Sequence, residues 1–140
     1  MPSETVLEWI KYATHDMELV LREMGYVRNP RLRPYEIILN HCHQCAEKML
    51  KAYLIHTTGA YSKIHVLNTL RKSCAVQDNT FNGKRFKDYC AYLDAFWNVK
   101  YPDFTISVDA SHVTRGINSA KRIYDFVSER IGLGKVYFNG

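Results

Sequence analysis

The chain has 140 residues, 46% of them hydrophobic and 13% aromatic, and a formal net charge of +5. That is the size of one compact domain, with enough apolar side chains to bury a core without staples, which excludes a disordered chain. The basic excess favours an acidic partner such as a nucleotide, RNA or an acidic protein surface, although it is small enough to be ordinary surface bias.

Ser3 is placed to cap a first helix in which Val6, Ile10, Ala13, Met17, Val20 and Met24 recur at three to four residue intervals up to Gly25. Tyr26 to Pro34 then holds two prolines and three arginines, Arg28, Arg31 and Arg33, and reads as an exposed connection and a basic cluster. A long second helix is predicted from Pro34, as a first-turn proline, to Thr58, with Gly59 as its stop. Within it the run HCHQCAEKMLKAYL, His41 to Leu54, separates at roughly 100° per residue into two parts. Cys42, Cys45, Ala46, Met49, Leu50 and Tyr53 spread over a broad oily arc, while His41, Gln44, Lys48 and Lys51 line a narrow strip at its edge. Such a strip could hold an anion against a buried core; the plain alternative is the solvated flank of an amphipathic helix.

A third helix is expected from Ser62 through Leu67 and Leu70 to Ala75, followed by a polar loop, Gln77 to Gly83. Lys84 to Val99 predicts a fourth helix with Phe86, Cys90, Leu93 and Trp97 inward, interrupted by Tyr101-Pro102-Asp103. There the proline holds Tyr101 extended and Asp103 can bond neighbouring amides, making a rigid corner. A fifth helix starts at Val108 or Asp109, with Asp109 as its cap, and carries Val113, Ile117, Ala120, Tyr124, Val127 and Ile131 before Gly132 and Gly134. Apart from a short extended piece at Phe104 to Val108, no useful length alternates with period two. The expected fold is all-α, an up-and-down antiparallel bundle of four to five helices, with residues 1–134 as a single domain and 135–140 as a frayed tail.

On a phosphate-bearing ligand, Lys48 and Lys51 would supply charge, Gln44 and His41 directional hydrogen bonds, and Tyr101 a stacking face beside Lys100. Arg28, Arg31 and Arg33 would add bidentate contacts. Glu47 precedes Lys51 by four residues, an ion pair worth roughly 0.3–0.5 kcal/mol if exposed. His65 reads as a packing residue anchoring the chain that leaves the second helix.

The cluster His41, Cys42, His43, Cys45 suggests zinc, but zinc needs four convergent ligands, His43 points away from His41, and the cysteines lie on the oily arc. No metal site is expected. The four cysteines, Cys42, Cys45, Cys74 and Cys90, lack both disulfide density and paired spacing, so they read as reduced core residues. Asp16 and Asp103 read as partners for arginine or as caps, and no serine has a triad context. The opening residues lack a signal-peptide pattern and no stretch is long enough to span a bilayer, so a cytoplasmic protein without membrane association is expected.

Trp9 with Asp16, the run His41, Gln44, Ala46, Glu47, Lys48, Lys51 and Ala52, then His65 with Leu67 and Leu70, and Tyr101-Pro102-Asp103 together resemble the HEPN domain family of higher eukaryotes and prokaryotes. The resemblance spans nearly the whole chain and is most specific in the second helix. It implies a bundle of four or five helices, frequent homodimers and operon partnership with minimal nucleotidyltransferases in toxin–antitoxin-like systems. No cofactor is implied beyond a nucleotide ligand.

The resemblance also implies one of two functional styles: nucleotide binding, or metal-independent RNA cleavage in toxin members. The cleaving members carry an arginine, a polar residue and then a histidine, with four to six residues intervening, near the start of a late helix. Lys100 stands where many relatives of this branch place the arginine, and Thr105, Ile106 and Ser107 occupy the positions for the histidine. His112 lies too far along, and His41 is eight residues beyond Arg33. Metal-free cleavage needs a base, an acid and a cation within hydrogen-bond reach, and the family's way of supplying them is missing. The expected function is a nucleotide-binding or nucleic-acid-associated module, homodimeric, acting as the non-catalytic partner of a minimal nucleotidyltransferase. The alternatives are a ribonuclease toxin built around His41, Lys48 and Lys100, and a pure protein-interaction module.

Overall fold

The computed structural model describes residues 1–25, 33–98 and 107–138. Arg28, Arg31, Lys100, Tyr101, Pro102 and Asp103, all singled out from sequence, lie outside the described residues. Within them are five α-helices and no strand: α1 Glu4–Met24, α2 Tyr35–Thr58, α3 Leu67–Gln77, α4 Lys84–Asp94 and α5 Ala110–Ile131. A 3₁₀ turn, Asn79–Asn82, joins α3 to α4.

The architecture is an all-α bundle with α2 at its centre, packed chiefly against α1 and α5 and also against α3 and α4. The oily arc of α2 is what makes it central: Cys42, Cys45, Ala46, Met49 and Leu50 are all fully buried, and each side of the arc needs its own neighbour. α1 lays Val6, Ile10, Ala13, Met17 and Val20 against it. α5 comes close at Gly116, where a β-carbon would overlap the Cδ2 methyl of buried Leu39.

The ends of α1 and α5 follow local rules. Ser3 Oγ accepts the Val6 amide at 3.2 Å. Asp109 Oδ1 accepts the amides of Ser111 at 2.9 Å and His112 at 3.2 Å, while His112 Nδ1 accepts the Asp109 amide at 3.2 Å, a reciprocal cap. Gly132, at φ 94°, closes α5 in the left-handed conformation that a β-carbon disfavours.

Four expectations are corrected. Pro34 is the N-cap of α2 rather than its first helical residue. α3 begins at Leu67, not Ser62, because its first amides are capped from another helix: Asp94 on α4 accepts Leu67 N at 2.8 Å and Asn68 N at 2.9 Å. α4 ends at Asp94, not Val99, as the bonds from Phe96 N to Leu93 O and Trp97 N to Asp94 O tighten the chain into turns. Phe96 therefore enters the core and Trp97 is only half-buried. The fraying expected of the C-terminus does not hold for residues 136–138. Buried Asp125 accepts the amides of Val136 at 2.8 Å, Tyr137 at 3.0 Å and Phe138 at 2.7 Å, which folds the segment back onto α5.

Candidate functional site: a polar cleft on the second helix

The strip read from the sequence of α2 divides in two. Asp16, projecting from α1 and only 6% exposed, lies 2.8 Å from His41 Nδ1 through one oxygen and 2.6 Å from Lys48 Nζ through the other. A carboxylate can only accept, so the His41 proton sits on Nδ1. A buried carboxylate without partners would be costly, so His41 and Lys48 first of all hold Asp16. Lys51 points inward: it is 3% exposed, its ammonium is 2.9 Å from Glu47 Oε2, and the Tyr61 ring centroid lies 5.4 Å away. The Glu47–Lys51 pair is thus a largely buried strut, and the value for an exposed pair does not apply to it.

Beside this network opens a cavity of about 270 Å³. One wall is α2, with Asn40, His43, Gln44, Glu47 and Lys48; the other is formed by His65 and Trp97. Gln44 donates to Asn40 Oδ1 one turn before it. His65 stacks on Trp97, ring centroids 5.6 Å apart and 14° from parallel, and its Nδ1 donates to Glu47 Oε2 at 2.9 Å. His43 Nε2 donates to Asp94 Oδ1 at 3.1 Å, so the carboxylate that caps α3 also orients a cleft imidazole.

Of the residues proposed from sequence, Gln44 and Lys48 line the cavity, His41 stands behind it on Asp16, and Lys51 lies under Glu47. For Arg33 the bond shown is by its backbone, whose carbonyl accepts the Tyr35 amide at 2.9 Å. Sequence reasoning missed Asn40, His43, Glu47, His65 and Trp97 as cavity residues. The i, i+4 spacing of Asn40 with Gln44 and of His43 with Glu47 was a usable signal. The approach of His65 and Trp97 from other parts of the chain had none.

The cavity offers amide, imidazole and ammonium groups beside an indole. Because the Asp16, Glu47 and Asp94 carboxylates outnumber the Lys48 and Lys51 ammonium groups, recognition there rests on directed hydrogen bonds more than on net charge. Its volume lies just under the roughly 300–1,000 Å³ of pockets that enclose whole small ligands. It suits one phosphate group or one base.

The cysteines next to it are chemically quiet. Burial, helped by the Asp16 charge, pushes the Cys42 thiol up to about 12, and burial also raises Cys45 well above the ordinary thiol value, with Cys42 and Asp16 adding to it. Neither presents a thiolate, the form that binds metal. Among the described residues no three His, Cys, Asp or Glu side chains group to hold a metal ion, and no helix there is long and apolar enough to cross a membrane.

A family model for the HEPN domain matches residues 6–131. The chain belongs to the HEPN domain family. The match begins at Val6, the first buried residue of α1, and ends at Ile131, the last residue of α5, so it takes in every side chain of the cleft. A comparison with curated proteins gave no match. In this HEPN domain the residues that carried the resemblance do related work: Asp16 holds His41 and Lys48, Glu47 holds Lys51 and His65, and Leu67 and Leu70 are fully buried.

Proposed function

We propose that this HEPN domain is a nucleotide-binding or nucleic-acid-associated module that works, as a homodimer, as the non-catalytic partner of a minimal nucleotidyltransferase in a toxin–antitoxin-like system. The observation that carries it is the edge formed by Gln44 and Lys48, one turn apart on α2, at the rim of a cavity whose far wall is the His65–Trp97 stack. A phosphate oxygen there would share the Lys48 ammonium with Asp16 and take a hydrogen bond from the Gln44 amide. Lys51, already holding Glu47, supports the site from below. Lys100 and Tyr101 follow Trp97 by three and four residues and are the proposed remaining contacts, with Arg28, Arg31 and Arg33 as additional ones.

A non-catalytic role is supported by the sequence, in which no histidine stands five to seven residues after an arginine.

The test is thermal unfolding with nucleoside triphosphates and with short RNA, on the wild type, Lys48→Ala and Gln44→Ala. A ligand at a hundred times its Kd adds about 2.7 kcal/mol of stability, so a rise in midpoint should be seen in the wild type and be smaller in both variants. No rise with any of these ligands would leave a pure interaction module. RNA cleavage in chelator that disappears in His41→Ala would replace this function with that of a ribonuclease.

A further inference from the structure

A larger concavity than the α2 cleft lies elsewhere, between α4, α5 and the C-terminal segment, with a volume of about 480 Å³. Its apolar surface is aromatic: Phe86, Tyr89, Phe126 and Phe138. The rest of its lining is dominated by five cations, Lys84, Arg85, Arg122, Arg130 and Lys135, against two acids, Asp125 and Glu129.

The acids are already engaged. The Asp125 carboxylate accepts three successive tail amides, and Glu129 lies 3.8 Å from Arg130 and 3.9 Å from Lys135. Arg130 also reaches Asp78 at 3.5 Å and the Phe126 carbonyl at 3.0 Å. Lys84, Arg85 and Arg122 have no carboxylate within ion-pair distance among the described residues, and all three are exposed. Positive charge is therefore in excess here, whereas in the α2 cleft the carboxylates offset it.

The geometry of the arginines adds to this. Arg122 lies over the Phe138 ring at 3.6 Å and Arg130 over the Phe126 ring at 3.2 Å. Stacked on its ring, Arg122 keeps its in-plane N–H donors for an anion, whereas Arg130 gives two of its own to Thr80 and to the Phe126 carbonyl; arginine is suited to bidentate contact with phosphate or carboxylate. The wall carrying Phe138 is built in place: Asp125, 4% exposed, fixes the backbone on which that ring stands. Unlike the α2 cleft, this cavity falls within the size range of pockets that enclose an entire small ligand.

We propose that this cavity binds a small aromatic anion, a planar ring seated against Phe138, Tyr89 and Phe126 with its phosphate or carboxylate held by Arg122 and Arg85. The two sources of that chemistry are a nucleotide and an aromatic carboxylic acid. The proposal stands apart from the α2 cleft, since no residue is shared.

Isothermal titration of the full chain tests it, with adenosine monophosphate, guanosine monophosphate, 4-hydroxybenzoate, inorganic phosphate and uncharged adenosine. At least one of the ring-bearing anions should bind, while phosphate alone and adenosine alone bind at least tenfold more weakly. Which anion binds decides the source. Arg85→Ala and Arg122→Ala should each weaken binding roughly tenfold, the effect of losing one charge-assisted hydrogen bond, and Phe138→Ala should also weaken it. Both arginines are exposed, so unchanged unfolding midpoints are expected and will show that the fold is intact. Lys48→Ala and Gln44→Ala should leave this binding unchanged; loss in those variants with retention in Arg85→Ala and Arg122→Ala would move the ligand to the α2 cleft and overturn the proposal. Absence of binding by every ring-bearing anion at millimolar concentration, or phosphate binding as tightly as they do, would overturn it as well.

Discussion

The Lys48 ammonium lies 2.6 Å from the Asp16 carboxylate, joining α2 to α1 at the rim of the polar cleft. The same carboxylate holds His41, so one buried acid sets the position of two basic side chains.

Asp16→Asn should therefore act in two directions. Removing the buried charge and turning one acceptor oxygen into an NH2 leaves either His41 or Lys48 without its acceptor and should cost about 1–3 kcal/mol in urea unfolding. It also releases the Lys48 ammonium, so nucleotide affinity at the α2 cleft should rise. Affinity that falls in parallel with stability would show that Asp16 positions Lys48 for the ligand and does not compete for it.

Asp94 is the second such anchor. Its oxygens accept two amides at the start of α3 and the His43 ring. Asp94→Ala should cost about 1–3 kcal/mol and Asp94→Asn less, because the amide oxygen can still cap one N–H. Hydrogen exchange at Leu67 and Asn68 should speed up in Asp94→Ala more than exchange in α1. Equal acceleration everywhere would argue against a local cap.

At the crossing of α2 and α5, Gly116→Ala introduces a methyl against the Cδ2 of Leu39, which is fully buried and must shift within the core to admit it. Overpacking costs about 1–3 kcal/mol and is offset by up to about 1 kcal/mol of helix propensity, so a net loss is expected. In a Leu39→Ala background the same substitution should be neutral or stabilising. A double-mutant cycle in chemical denaturation measures that coupling, and additive effects would contradict the close approach.

The cysteines give a pH prediction. Burial pushes Cys42 and Cys74 up to about 12 and also raises Cys45 and Cys90. At pH 8 the folded chain should resist Ellman's reagent, and all four thiols should react once urea unfolds it. A thiol whose pKa is higher folded than unfolded contributes stability that is intact below about 8.5, the unfolded value, and lost as pH climbs toward the folded one. The denaturation midpoint should thus fall between pH 8 and pH 10, and Cys42→Ala should lessen the fall. Thiols that react at the unfolded rate in native buffer would refute their burial.

The ends of α1 and α5, the stop of α2 and the oily arc of α2 were legible in the sequence, because a cap such as Ser3, Asp109, Gly59 or Gly132 acts within a few residues of itself. The helical wheel likewise placed Gln44 and Lys48 on one edge. It could not say what covers that edge, since an azimuth on a helix is defined without its neighbours. Lys51 is buried because Glu47 takes its ammonium and Tyr61 lies near it, and Lys48 is paired because α1 brings Asp16 alongside. The start of α3 depends on Asp94, twenty-seven residues further on, and the basic aromatic cavity on an Asp125 carboxylate that gathers the C-terminal amides. By itself the sequence determined the helices, their family and the polar edge of α2. Tertiary structure alone decided which charges were neutralised and which were left open, because pairing depends on distance in space and not on separation along the chain.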